Sequence, residues 1–267
     1  MSELPGEPPL HELPVARPVV LSEVDAAYLP VARRAPRPIT PLRAILEIIL
    51  LIPLGYAGAI LSVIGVAVLG VEDERWATAG TSVGMGAMVL LGIAIWLRLD
   101  GQRARDIGLT TRNLPQDIVI GLLATIVMYM LLMVLGVLIG LFNPDFLGQP
   151  SPAERAIRET FPDTSVRAMV LMMGFVGIWE EIAFRGFLLT RLHAVFGRWA
   201  PAVVAGSIAF GAVHIYEGLL AVVIIVFMGL ILAGLFLWRR SLVPCIVMHF
   251  LHNTLMMLFL FVGSNEA

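Results

Sequence analysis

The sequence contains no lysine and a single cysteine, Cys245. One cysteine excludes an internal disulfide framework and a cysteine-based metal site. All 18 basic residues are arginine and the net charge is −2, so we expect no nucleic-acid partner. Charged residues make up only 14% of the chain, which is too few for the surface of a soluble protein.

Apolar residues are abundant and occur in runs. They make up 58% of the chain, and the mean hydropathy is +0.89. Runs of about 20 residues are long enough to cross a bilayer as helices. We predict an all-α polytopic membrane bundle with about seven transmembrane helices, at residues 44–70, 77–97, 117–141, 167–190, 200–216, 218–238 and 241–262.

The loops predict the domain organisation. Residues 1–42 are rich in proline and charge, so we expect a disordered cytoplasmic tail with no signal peptide. N-terminal transmembrane helices at 43–142 precede an external loop at 143–166, in which 152–161 has the pattern of a short interfacial helix. The last four helices fill 167–262.

Arginine is distributed unevenly between alternate loops. Twelve arginines flank the spans on the side of the N-terminus and four on the opposite side. Because positive residues near span ends stay in the cytoplasm, we expect a cytoplasmic N-terminus. The predicted location is a prokaryotic inner membrane, with the lipid bilayer as a partner. Nothing in the sequence indicates the oligomeric state.

Three charged residues interrupt the fourth apolar run. Glu180, Glu181 and Arg185 lie within it, although each mid-membrane charge costs roughly 2.5 to 3.5 kcal/mol. Arg185 follows Glu181 by four residues, so the two can pair on one helix face. Glu180 is rotated by about 100° from Glu181 and stays free of that pair. The alternative is a charge cluster that only fixes helix packing.

Further polar groups lie at similar depth in the neighbouring spans. Phe210 and His214 are four residues apart in the fifth span, and His249 and Asn253 are four apart in the seventh. Each pair therefore shares a helix face. His252 lies near the face of His249 and can support it. His193, by contrast, falls in the loop after the fourth span, where we expect a surface position.

These groups suit hydrolysis by either of two chemistries. In one, Glu180 takes a proton from water that a histidine holds, and Asn253 stabilises the oxyanion beside His249. In the other, Glu180, His214 and His249 form a His₂Glu zinc site, which would make the protein a metalloprotease. The residues alone leave both chemistries open.

The motifs Glu180-Glu181-x-x-x-Arg185, Phe210-x-x-x-His214 and His249-x-x-x-Asn253 together resemble the CPBP intramembrane protease family. This family includes type II CAAX prenyl endopeptidases and bacteriocin-processing or immunity relatives. The resemblance implies a four-helix catalytic core at 167–262 and a membrane-associated peptide substrate. It also implies that Glu180 and His214 activate water, that His249 and Asn253 stabilise the oxyanion, and that the remaining motif residues shape the site.

Two other functions compete with the protease. A non-proteolytic immunity or scaffolding protein would use the same fold to bind a peptide or a membrane protein. A proton-coupled transporter would also place Glu and His inside the membrane. The sequence shows no repeat between its halves, which disfavours the transporter.

Overall fold

The computed structural model describes residues 38–70, 74–142 and 165–262, and this part of the chain is helical, with no strand. A π-helical turn, Ile182–Leu188, joins two of the helices without a break. The all-α bundle predicted from the sequence is confirmed. The helices are α1 (Pro41–Val68), α2 (Glu74–Leu99), α3 (Leu114–Phe142), α4 (Val166–Glu181), α5 (Leu189–Phe196), α6 (Trp199–Ala212), α7 (Leu219–Arg239) and α8 (Val243–Val262).

Helix ends follow from local sequence signals. The Thr40 hydroxyl accepts a hydrogen bond from the Arg43 backbone N–H at 3.3 Å, and proline follows at the first helical position of α1. Ser165 caps α4 in the same way at Ala168, also at 3.3 Å. After α5 the chain reverses at Gly197, whose φ of +66° suits a residue without a Cβ.

Four of the described segments are long and apolar enough to cross a membrane, namely Pro41–Val68, Ala79–Leu99, Leu114–Phe142 and Leu219–Arg239. Helices α6 and α8 are apolar but shorter. Large apolar side chains on the outer faces of α1 and α3, such as Ile52 and Leu123, are more than half exposed. Such faces suit contact with lipid rather than with water.

Two predicted spans differ from the observed helices. The fourth was expected to end at 190, but the helical chain runs on to Phe196. His193 therefore lies within α5 rather than in a loop, and its ring stacks on Trp199 with 3.8 Å between centroids. The fifth was expected to reach 216, but α6 ends at Ala212 and a short 3-10 turn, Ile215–Glu217, follows it.

The core lies where several elements meet. Ile93 of α2, Phe187 of the π turn, Phe210 of α6, Leu232 of α7 and Met248 of α8 are all buried in one apolar cluster. Around this cluster α1 packs on α2, α3 and α4 pack on α8, and α6 packs on α7. The π turn is thereby enclosed on several sides, which fixes the acidic residues that precede it.

Helices α1 and α2 approach each other through glycine. A Cβ on Gly58 would lie 2.8 Å from the carbonyl carbon of Gly84 and 2.6 Å from the Met88 side chain. Small residues permit this close backbone contact, as is common between membrane helices.

A buried ion network joins α1, the end of α2, and α5. The Arg191 guanidinium donates to Glu47 at 2.7 Å, to Asp100 at 3.1 Å and to Gln102 at 3.0 Å. Arg43 pairs with Glu47 at 2.9 Å and also contacts Asp100. Burial raises the pKa of the Asp100 carboxyl, and the nearby Glu47 carboxylate adds to the rise. Of these pairs, only that between Arg43 and Glu47 is local in sequence, with a spacing of four residues.

Two predicted segments lie largely outside the described residues. These are the tail at 1–42 and the external loop at 143–166 with its short helix at 152–161. The division into N-terminal helices at 43–142 and a catalytic core at 167–262 stays a prediction.

Candidate active site

The acidic pair stands at the end of α4, directly before the π turn. Arg185, within that turn, donates from Nη1 to Glu181 Oε1 at 2.7 Å, and both side chains are buried. The expected pair is therefore present. The Thr190 hydroxyl follows the π turn and lies 2.9 Å from the Gly186 carbonyl oxygen and 2.8 Å from that of Phe187. Such turns occur frequently at functional sites.

His249 of α8 lies between the two glutamates. Its Nδ1 is 2.7 Å from Glu181 Oε1, and its Nε2 is 3.8 Å from Glu180 Oε2. The histidine is only 2% exposed. Within the described chain, no group hydrogen-bonds Glu180 Oε2. Oε1 of Glu181 thus contacts both Arg185 and His249, whereas the Glu180 carboxylate makes no hydrogen bond to the described residues. Oε2 of each glutamate is buried without such a partner.

Phe210 connects the charged groups to the second histidine. It lies at the centre of the site and is buried, with the Arg185 guanidinium 4.1 Å from its ring centroid. The rings of His214 and His249 lie edge-on to it at 5.1 Å and 5.8 Å. His214 follows the end of α6, and its Nδ1 lies 2.8 Å from the Phe210 carbonyl oxygen.

The two remaining predicted residues lie farther along α8. Asn253 is half-buried one turn after His249, and its side-chain amide makes no hydrogen bond to the described residues. His252 packs against Tyr129 of α3, with 5.8 Å between ring centroids, and its Nδ1 is buried with no partner in the described chain. The structure therefore places Glu181 in hydrogen-bond contact with His249 and Glu180 at 3.8 Å from the same ring, and it leaves Asn253 outside this group.

The sequence did not predict one aromatic neighbour of the site. Tyr216 is 68% exposed, and its ring stacks on His214 with 6.2 Å between centroids. The sequence feature that could have indicated Tyr216 as a site residue is its position two residues after His214.

The zinc alternative requires three ligand side chains that converge on one point. Among the residues that the structure describes, no three His, Cys, Asp or Glu side chains are arranged to hold a metal ion. The Nδ1 atom of His249 lies against Glu181 and that of His214 against a carbonyl, which leaves the Nε2 atom of each ring without a hydrogen bond to the described residues. The zinc site at Glu180, His214 and His249 stays a prediction.

The polar groups of the site come from α4, the π turn, the segment just after α6, and α8. Residues 162–255 match the type II CAAX prenyl endopeptidase Rce1-like family model. The Rce1-like match covers about a third of the chain and includes all three motifs. It confirms the resemblance to CPBP proteases noted from those motifs.

The Rce1-like match implies a membrane endopeptidase. It leaves α1, α2 and α3 without a counterpart, since the matched residues begin after them. Searches of curated proteins and of solved structures found no match to the chain. The roles of individual side chains therefore depend on the geometry of this site.

Proposed function

We propose that this protein is an intramembrane endopeptidase in which Glu180 activates the attacking water. One observation carries the proposal. Two adjacent glutamates face the same histidine, and only Glu181 is neutralised by Arg185, at 2.7 Å. Among the described residues no group hydrogen-bonds the Glu180 carboxylate, whereas Glu181 accepts a hydrogen bond from Arg185. A general base needs such a free acceptor within reach of water.

The chemistry follows from this arrangement. Glu180 takes a proton from water while the water oxygen bonds to the carbonyl carbon of the peptide, whose π electrons move to its oxygen. The Asn253 amide donates to that oxyanion, because it is a neutral donor that cannot act as a base. The C–N bond then breaks, and Glu180 returns the proton to the leaving amine. No step requires a metal, so we propose metal-free hydrolysis.

The substrate we propose is a membrane-associated protein or peptide. The apolar outer faces of α1 and α3 suit a position within lipid, so the site meets substrates that partition into the bilayer. The description of the matched family favours a prenylated CAAX-type peptide. Oligomeric state plays no part in the proposed chemistry.

A cleavage assay tests the base. Purified protein is incubated with a fluorogenic prenylated CAAX peptide, and wild type is compared with Glu180→Gln. We expect kcat to fall roughly 10²- to 10⁴-fold in the variant, which is the typical contribution of a general base. Asp106→Asn is the matched control, because Asp106 is an acid in the turn at Ala104–Ile107, outside the site. Its turnover should equal that of wild type.

Metal content is determined on the same samples. Cleavage that Glu180→Gln abolishes, without stoichiometric metal, supports the proposed mechanism. One zinc per chain together with loss of activity on chelation would assign the chemistry to the metal instead. Full cleavage by Glu180→Gln would remove Glu180 as the base, and a wild type that binds the peptide without cleaving it would favour the scaffolding function.

A further inference from the structure

Two loops bring two arginines and a tryptophan together at the end of the bundle where α5 and α7 finish. Trp199 is the first residue of α6, and Arg240 directly follows α7. The Arg240 guanidinium carbon lies 4.9 Å from the Trp199 ring centroid, and the His193 ring stacks on Trp199. Arg198, which precedes the tryptophan, is exposed. Roughly 16 Å of helix separates this cluster from Phe210 of the active site.

The backbone of Arg240 adopts a conformation that glycine would adopt more easily. Its φ is +53°, and every other described residue with a positive φ is a glycine, including Gly197 at the end of α5. A Cβ makes this left-handed region costly. The dipole of α7 favours a cation near its C-terminus, but Arg239 already supplies one. The arginine at this position therefore needs a reason beyond the turn, and its side chain offers one.

The positive charge beside Trp199 is not balanced by the described residues. Acids in the nearby loops are engaged elsewhere, since Asp117 pairs with Arg239 at 2.8 Å and Asp106 lies 3.8 Å from Arg105. No described carboxylate pairs with either of the arginines beside Trp199. Two such positive charges on neighbouring loops form a surface that attracts an anion.

The surface next to this cluster is apolar. Val204 of α6 is 51% exposed and Trp238 of α7 is 68% exposed. Tryptophan is enriched where a membrane meets water, and arginines at that level attract anionic lipids. A phospholipid matches both features, because its headgroup carries the negative charge and its acyl chains cover the apolar helix faces.

We propose that Arg198, Trp199 and Arg240 form a binding site for the headgroup of an anionic phospholipid. The two guanidinium groups bind the phosphate, because arginine presents several donors that match phosphate oxygens. The indole supports the Arg240 side chain by a cation–π contact. The acyl chains lie along α6 and α7. The site takes no part in peptide cleavage, so its test does not depend on the proposed endopeptidase activity.

Thermal unfolding in detergent tests the site with phosphatidylglycerol as the probe. The full chain in dodecyl maltoside micelles is titrated with this lipid, and the rise in apparent Tm gives an apparent Kd, because a ligand of the folded state stabilises it. Phosphatidylcholine, which has no net charge, and sodium phosphate, which has no acyl chains, are titrated in parallel. We expect phosphatidylglycerol to act at the lowest concentration. An equal effect of phosphatidylcholine or of sodium phosphate would overturn the proposal.

The variant Arg240→Gly separates lipid binding from the conformation of the turn. Glycine suits a φ of +53°, so the Tm without lipid should not fall, whereas the apparent Kd for phosphatidylglycerol should rise roughly 5-fold. Arg198→Gln, in an exposed bend, should raise the Kd by a similar factor, and the double variant should raise it roughly 30-fold. An unchanged Kd in the double variant would refute the site.

Arg112→Gln is the matched control, because Arg112 is an exposed arginine in the turn before α3. Its apparent Kd for phosphatidylglycerol should equal that of wild type. A loss of affinity as large as that of Arg240→Gly would show a diffuse attraction to the arginines of this end, and it would contradict a site built around Trp199.

Discussion

Two glutamates that are adjacent in sequence, Glu180 and Glu181, occupy different environments at the site. Glu181 is enclosed by Arg185 and His249 at 2.7 Å each, so its charge is balanced within the bundle. Glu180, the preceding residue, is rotated by about 100° around the helix and comes no closer to a charged group of the described residues than 3.8 Å, at His249. Adjacent positions on a helix necessarily face different neighbours, which lets one carboxylate be structural while the other reacts.

Asn253 is the residue whose role can be isolated most cleanly by substitution. Its amide is neutral, so Asn253→Ala leaves no unpaired charge in the bundle. If the amide donates to the oxyanion, kcat should fall roughly 100- to 1,000-fold. KM should change little, because the interaction forms only in the transition state. Steady-state cleavage of the fluorogenic prenylated peptide measures both constants.

The control for this experiment is Asn113→Ala, since Asn113 is an exposed asparagine just before α3. It should cleave at the wild-type rate. Equal rates for Asn253→Ala and wild type would show that the oxyanion is stabilised by another group.

At the scale of the element, the sequence predicts helices well and their interruptions poorly. Apolar runs located most of the helices to within three residues at each end, because a helix that crosses the bilayer needs a long apolar segment. The π turn at Ile182–Leu188 was not predicted, since its composition resembles that of the helix around it. The Glu181 to Arg185 pair was nevertheless predicted, because a spacing of four residues keeps both side chains on one face.

Contacts distant in sequence were missed for a different reason. Arg191 meets Glu47 across 144 residues and Asp100 across 91, and no local pattern encodes such pairings. The bond from His249 to Glu181 likewise depends on how α8 packs against α4. The sequence indicated which residues lie at a similar depth in the membrane. Only the packing of the helices shows which of these residues are in contact.

The contact between α1 and α2 is sensitive to a single methyl group. Gly58→Ala would place a Cβ 2.8 Å from the Gly84 carbonyl carbon, so the two backbones must separate. Overpacking of this kind costs about 1–3 kcal/mol. We expect a lower apparent Tm for the detergent-solubilised variant in a thermal unfolding scan.

Gly65→Ala is the matched control on the same helix, because nothing lies within 4 Å of a Cβ added there. Its Tm should equal or exceed that of wild type, since alanine favours helix over glycine. Equal losses of stability in the two variants would mean that helix propensity, and not the contact with α2, sets the effect.

At the scale of the whole molecule, the ion network links helices outside the family match to the segment that carries the site. Arg191 binds Glu47 and Asp100, and its guanidinium also lies 4.2 Å from the Phe187 ring centroid, in the π turn. Arg191→Met keeps much of the side-chain volume but leaves both acids with Arg43 alone. Breaking a buried pair from one side costs about 3–5 kcal/mol.

We therefore expect Arg191→Met to lower the apparent Tm well below that of Arg98→Met, a control that removes an exposed arginine near the end of α2. Thermal unfolding in detergent measures the difference. A Tm for Arg191→Met that matches the control would show that the network contributes no net stability.

The same contacts place several helix ends together, and this allows the membrane orientation to be tested. Arg43 meets Asp100, Arg239 pairs with Asp117 at 2.8 Å, and the Leu242 N–H donates to the Gly108 carbonyl at 2.8 Å. The starts of α1, α3 and α8 and the ends of α2 and α7 therefore share one end of the bundle. This end carries most of the arginines in the described loops, so the positive-inside rule predicts that it faces the cytoplasm.

Single cysteines measure this orientation in a Cys245→Ala background, which removes the one native thiol. Leu69→Cys lies at the opposite end of α1, where the side chain is 79% exposed, and Thr111→Cys lies in the exposed turn before α3. A membrane-impermeant maleimide applied to intact cells should label Leu69→Cys at once and Thr111→Cys only after the cells are opened. The reverse pattern would place the arginine-rich end outside, and with it the N-terminal start of α1.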